Sequence, residues 1–259
     1  MNCRICHGPA RASYTLRSQR YGSPVRTRYC PACDAFFSDG SPTNYEDVDL
    51  GDYYNGHAAT IKTRYMRFFE FVGAMQSPGR FLDIGAGMGF SLDVAVEHGW
   101  QATGIEPNRH LAAHARSRGV NVENRFLDAS FTGGFDLILL DNVLEHVPDP
   151  ANFLGHASRL LAQRGVMVIA VPPLDWLRKA LARSSYVRDQ VQAPQLNVFC
   201  EVDEHLSMFT RQAMQSLLQG AGLQPLAVRF HHSRAYANAA ARVLGIDDGY
   251  HFAVRPRVT

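Results

Sequence analysis

The sequence predicts an α/β fold: a doubly wound, Rossmann-like sheet with helices on both faces, preceded by a small cysteine-bound knuckle. Three observations predict it. From Arg80 onward, apolar strand-like runs alternate with helical stretches. The first of those runs, "FLDIGAGMGF" from Phe81 to Phe90, breaks into glycines at every second position before a helix begins. Two C-x-x-C pairs, Cys3 with Cys6 and Cys30 with Cys33, stand ahead of it.

The knuckle spans residues 1–42. In a reducing compartment two such pairs read as a tetrathiolate zinc site rather than as disulfides. Each pair lets two thiolates on one tight turn reach the same ion, and Cys3, Cys6, Cys30 and Cys33 complete a closed tetrahedron. A closed site has no open coordination position, so the zinc is expected to be structural, folding a segment with little core of its own. The fifth cysteine, Cys200, is read as a small buried hydrophobe.

Residues 43–78 read as a linker followed by a helix. "DGSPTNYEDVDLGDYYNGHAAT" is rich in turn formers. "IKTRYMRFFEFVGAM", Ile61 to Met75, carries apolar and aromatic residues at helical spacing. Tyr53 and Tyr54 in the linker either cover a bound ligand or pack against the fold.

The main domain takes residues 79–259. Its expected strands are "RFLDIG", "QATGIE", "VNVENRF", "FDLILLDN" and "GVMVIAVP", with helices over "SLDVAVEHG", "RHLAAHARSRG" and "ANFLGHASRLLAQ". The strands are nearly continuous apolar runs, as a parallel sheet covered on both faces requires. A ligand then belongs beyond their carboxyl ends.

Composition excludes several classes. The 259 residues are 46% hydrophobic and 19% charged, with 26 Lys plus Arg against 24 Asp plus Glu, a net charge of +2. That balance gives no electrostatic reason for nucleic acid or an anionic membrane as partner. No apolar run is long enough to span a membrane, and "MNCRICHGPA" has no signal-peptide core, so a cytoplasmic location is expected.

The glycine turn narrows the ligand. A phosphate-cradling P-loop needs Gly-Lys-Ser or Gly-Lys-Thr, and neither follows. A nicotinamide fingerprint after Gly85 and Gly87 would put its third glycine at position 90, which is Phe90; the third glycine is Gly89. Asp83, two residues before Gly85, would repel a pyrophosphate but suits a ligand carrying a sulfonium and an ammonium. The turn, with Ala86 between its glycines, therefore favours S-adenosylmethionine. Glu106 of "GIEP", followed by Pro107, stands where a carboxylate accepts both ribose hydroxyls. Asp128, beside Ala129 in "FLDAS", is placed to accept from the adenine amino group. Asp141 and Asn142 in "LLDNVLEHVPDP" stand beside the reactive centre, with Glu145 and His146 one turn onward.

These segments, together with "VMVIAVPP" and "EHLSMFTRQAMQSLLQGAGL", resemble the class I S-adenosylmethionine-dependent methyltransferases over about Arg80 to Leu223. The subgroup they resemble most includes the ubiquinone-type O-methyltransferases. The resemblance implies a seven-stranded sheet whose last two strands, "PLAVRF" and "YHFAVRP", form a reversed hairpin. Asn142 stands where the ubiquinone-pathway enzymes carry a glutamate that helps hold a metal, so a metal-assisted mechanism is not expected here. "LAQRGV" replaces the Lys-Pro-Gly-Gly turn of many relatives.

The knuckle followed by "DYYNGH" is similar to the sugar C-methyltransferases of deoxysugar pathways. Those enzymes carry a Glu-His pair before a helix, matched by Glu204-His205, and a further histidine matched by His146. Their tyrosine before the Glu is Val202 here, and the resemblance does not extend to their long C-terminal domain.

The expected chemistry is methyl transfer to a small molecule, by in-line displacement with a histidine taking the acceptor's proton. His205 is the first choice as base, since imidazole titrates near neutral pH; Glu204 would orient it, and His146 is the second choice. For Glu145-His146 the alternative role is capping the following helix. "LDWLRKALARSSYV", within residues 174–204, reads as an amphipathic helix serving as a lid over the acceptor pocket or as a contact in a homodimer. A zinc-ribbon protein acting on RNA or on a protein partner is the alternative reading.

Overall fold

The computed structural model describes residues 2–17, 24–39, 45–172, 205–231 and 249–257. The expected lid at 174–204, Cys200, Val202 and Glu204 lie outside the described residues.

The knuckle strands are β1 (Arg11–Arg17), β2 (Pro24–Cys30) and β3 (Ala35–Ser38), paired antiparallel in that order. β3 is buried along its whole length. Tyr29 and Phe36 face each other with ring centroids 4.7 Å apart, and Arg28 grips Asp39 through two bonds of 2.8 and 3.1 Å.

Helix α1 runs Gly51–Gly73, followed by β4 (Arg80–Ile84), α2 (Phe90–Glu97), β5 (Gln101–Ile105), α3 (Arg109–Ser117), β6 (Val122–Glu123) and β7 (Phe135–Asp141). A short 3-10 turn at Leu144–His146 leads to α4 (Pro150–Ser158) and β8 (Leu161–Val171). Beyond lie β9 (Ser207–Met208), α5 (Arg211–Gly220), β10 (Leu223–His231) and β11 (Gly249–Pro256).

Among the described residues the large sheet has seven strands in the order β10-β11-β8-β7-β4-β5-β6. β4 pairs in parallel with β5 on one side and β7 on the other, so their carboxyl ends at Ile84, Ile105 and Asp141 share one edge. The strand order reverses at β4, which is where an open sheet of this kind opens a ligand crevice. The backbone contacts fall into two compact units: residues 1–43, 142–154 and 170–252, and residues 44–141, 155–169 and 253–259.

Three elements differ from the sequence expectation. α1 begins ten residues early, because Tyr54, Ala58, Ile61 and Tyr65 form one stripe against Met88, Phe90 and Leu111. The tertiary contact overrides the weak helix preference of Gly and Asn there. β6 has two residues rather than seven, since Asn124 turns its amide onto the carbonyls of Glu106 and Pro107 at 2.9 and 2.8 Å. α4 stops at Ser158, and "LAQRGV" is already strand. Gly165 permits this: a Cβ there would lie 2.6 Å from the Phe135 carbonyl oxygen.

Candidate active site and cysteine cluster

The candidate cofactor site is built on the glycine turn. Gly85 and Ala86 donate to the Ile105 carbonyl at 2.8 and 3.1 Å, tying the turn to the end of β5. Gly87 and Gly89 have φ of 53° and 76°, the left-handed region that disfavours a side chain. A Cβ on Gly89 would also come within 2.9 Å of Val120. Tyr54 of α1 lies over Gly87, its ring 3.7 Å from where a Cβ would stand. Tyr53 points away, 61% exposed and packed on His57, so of the two tyrosines only Tyr54 covers the turn.

Three carboxylates stand at or just past the carboxyl ends of β4, β5 and β7, and Asp83 feels the charge of the other two. Asp83 is 1% exposed; one oxygen accepts from the Ser91 hydroxyl and Oδ1 has no hydrogen-bond partner among the described residues. Burial first, then Asp141 and Glu106, push its carboxyl up to about 7 against the opposing effects of Ser91 and Arg64. Glu106 is equally buried, its Oε2 accepting from Gly87 N and its Oε1 from Asn108 N, both at 2.7 Å. Burial raises its carboxyl and those two bonds lower it. Each carboxylate oxygen keeps a second lone pair, so two ribose hydroxyls can still be accepted.

Asp141, at the end of β7, accepts from Arg64 at 2.7 Å and from the Tyr65 hydroxyl at 3.0 Å. Arg64 is the residue the sequence reading missed. It is 77 positions from Asp141, and only its helical phase beside Ile61 and Tyr65 hinted at an inward position. Asn108 was also missed. It caps α3 through Oδ1, and its amide holds the carbonyls of Tyr45 and Val48.

Asp128 sits differently. It is exposed and closed on itself, accepting from Ser130 N at 2.8 Å, from Ser130 Oγ at 2.5 Å and from Arg125 at 3.0 Å. The Ser130 bonds and Arg125 hold its carboxyl down at about 2. Pro107 is half-buried, Ala129 exposed, and Asn142 lies in the left-handed region at φ 55°, its N–H on the Ala170 carbonyl at 3.0 Å.

In the other unit, His146 and His205 meet edge to face with ring centroids 5.0 Å apart. One ligand atom from each of Glu145, His146 and His205 lies within 4.8 Å of the others. The glutamate is buried. Burial, then the neighbouring His146, push His205 down to about 3, so it stays neutral rather than titrating near pH 7. Helix capping belongs to Asp149, which accepts from Asn152 N at 3.0 Å.

Cys3, Cys6, Cys30 and Cys33 bring their sulfurs within 4.8 Å of one another, with Cys6 and Cys30 3.8 Å apart. A zinc tetrathiolate has sulfur–sulfur edges of about 3.8 Å, given Zn–S bonds of about 2.3 Å. Cys3 Sγ also accepts from Ile5 N at 3.3 Å and Cys6 N at 3.4 Å. Burial pushes the Cys3 thiol up to about 11, a cost that a bound divalent cation would offset. The four residues fit such an ion.

The sheet order, the glycine turn and the acid at the end of β5 define a class I S-adenosylmethionine-dependent methyltransferase fold. Residues 56–228 match the family described as methyltransferase domain, and the chain belongs to that family. The ubiquinone biosynthesis O-methyltransferase of Caulobacter sp. (strain K31) is 35% identical over 134 residues, covering 47% of this chain and 52% of that protein. The chain thus spans about half the length of the curated relatives it matches. Among solved structures, a methyltransferase from Archaeoglobus fulgidus superposes with a TM-score of 0.56 at 16% identity, covering 79% of this chain and 97% of that one. A second, from Mesorhizobium loti, gives 0.52 at 18% identity over 72% and 96%.

Proposed function

We propose that this protein transfers the methyl group of S-adenosylmethionine to a small-molecule acceptor. One observation carries the reading: Asp83, buried just before the glycine turn with one oxygen unpartnered among the described residues, feels the charges of Asp141 and Glu106 against the single opposing charge of Arg64 among those that act on it. Such a site suits a ligand that brings its own positive charge. A pyridine dinucleotide would bring a pyrophosphate instead.

In this assignment Glu106 takes the ribose hydroxyls, the turn from Gly85 to Gly89 carries the amino-acid portion, and Arg64 faces the donor's carboxylate. Tyr54 covers the donor over Gly87. The acceptor's electron pair forms the bond to the methyl carbon, the old carbon–sulfur pair returns to sulfur, and the acceptor's proton passes to His205. Burial and the neighbouring His146 hold that imidazole neutral, so its lone pair is available, and the same two causes make it a weak base that needs the reacting, more acidic acceptor to give up its proton. Glu204 and the lid at 174–204 complete this assignment from the sequence alone.

A small acceptor is supported by the relatives being ubiquinone biosynthesis O-methyltransferases and by the near-neutral charge. Zinc on the four cysteines is structural in this reading. Calorimetry tests it: S-adenosylmethionine binds, NAD does not, and Glu106→Ala loses the donor. Tight NAD binding, or undiminished donor affinity in Glu106→Ala, would overturn the assignment.

A further inference from the structure

Within the unit of residues 1–43, 142–154 and 170–252, the cysteine knuckle and the two histidines are joined by a short series of hydrogen bonds. Arg4 lies between Cys3 and Cys6. Its guanidinium donates to the Pro148 carbonyl at 2.8 Å, two residues past His146, and to the Ser38 carbonyl at 3.4 Å. Ser38 N in turn donates to Leu206 O at 3.1 Å, and Leu206 N to Glu145 O at 2.7 Å. Leu206 directly follows His205, so the backbone beside each histidine is held by the other and by the knuckle.

The following residues are held as well. β9 adds to the knuckle sheet beside β3, with Phe37 opposite Ser207 and Phe36 opposite Met208. Thr210 donates to the Asp34 carbonyl at 2.9 Å, one residue past Cys33, and Gln212 to the Ala32 carbonyl at 3.2 Å, between Cys30 and Cys33. Both C-x-x-C turns therefore reach the histidine segments, the first through Arg4 and the second through Thr210 and Gln212.

We propose that the cysteine knuckle positions the His146–His205 pair, with Arg4 as the positioning residue, so that metal on the four cysteines decides whether the two imidazoles meet. The inference rests on the reading that these histidines handle the acceptor's proton. A small metal-bound segment is ordered by its ion, so the strand that supports β9 and the turn that carries Arg4 lose their geometry together when it leaves. The donor-cleft residues Asp83, Glu106, Asp141 and Arg64 belong to the other unit and keep theirs.

The test of ring geometry needs no acceptor. In protein with isotope-labelled histidine, the ring-to-ring nuclear Overhauser contact between His146 and His205 is followed with zinc bound and after extraction by a chelator. Calorimetry with S-adenosylmethionine runs alongside on the same samples. Expected are a contact in the zinc-loaded protein, its loss on extraction, its return when zinc is restored, and unchanged donor affinity throughout. Arg4→Ala should weaken the contact with zinc still bound, and Arg4→Lys, which keeps one donor of the two-pronged group, should restore part of it.

A contact that persists without zinc, or is the same in Arg4→Ala, overturns the proposal. So does a chain that takes up no zinc, or one that loses donor binding together with the contact. His205→Ala separates the two ideas. Retained turnover in that variant would remove the base assignment and leave the effect of zinc on ring geometry to be judged on its own result.

Discussion

Asp83 shows how much one buried carboxyl can set. With its pKa at about 7 in the free protein, it is largely protonated below neutrality, and a cationic donor favours the ionised form. Donor binding should therefore expel a proton, and affinity should fall as pH drops below 7, by up to about tenfold per unit. Calorimetry in buffers of different ionisation enthalpy checks this; a pH-independent affinity would contradict it. The sign for stability is the reverse of the usual carboxylate. The folded pKa lies above the unfolded one, so Asp83 costs the free protein stability as pH rises from about 4 to about 7. Asp83→Asn should accordingly stabilise the free protein at neutral pH, by on the order of 2 kcal/mol, while weakening donor binding. The acid and its glycines were legible in the sequence because they are local. Arg64 was not, because its meaning comes from Asp141 77 positions away.

At the scale of elements, α1 is the instructive case. Gly51, Asn55 and Gly56 marked its first turns as linker, yet Tyr54, Ala58, Ile61 and Tyr65 recur at intervals of a helix face. Arg64 on this helix is 36% exposed and Asp141 10%, between a surface pair worth about 1 kcal/mol and a buried pair whose breakage costs about 3–5 kcal/mol. Arg64→Ala should lower stability by about 1–3 kcal/mol and weaken donor binding, read by urea unfolding and calorimetry; Arg64→Lys should recover part of both. At the start of α2, Gly89→Ala should cost at least about 1–2 kcal/mol for the left-handed backbone alone. The approach to Val120 at 2.9 Å adds to that. A wild-type midpoint in urea would show that the turn relaxes without penalty.

For the whole molecule, charge and chain path decide most. A net charge of +2 offers no polyanion a general attraction, so RNA should show no binding that weakens steeply with salt. A gel shift abolished between low and moderate salt would reopen the RNA reading. Among the described residues no helix is long and apolar enough to cross a membrane. The two units interleave in sequence: the unit holding the N-terminal knuckle recruits Asn142–Leu154 and Ala170–Phe252, and the unit holding the glycine turn takes Asn44–Asp141, Gly155–Ile169 and Ala253–Thr259. A linear reading divides a chain at composition shifts and cannot foresee a two-residue strand, Ser207–Met208, completing a sheet by pairing Ser207 with Phe37, 170 positions earlier.

The sequence alone determined whatever rests on neighbours along the chain: the alternating strands and helices, the glycine turn with its acid, Glu106 at a strand end, and the paired cysteines. Short-range spacing fixes those features, because backbone sterics and ligand reach act over a few residues. Tertiary structure alone decided which distant groups meet. It set Arg64 and Tyr65 on Asp141, closed Asp128 onto Ser130, and brought Glu145, His146 and His205 together. Burial, which moves Asp83 up and His205 down, is a property of packing, and packing is written in no single stretch of the chain.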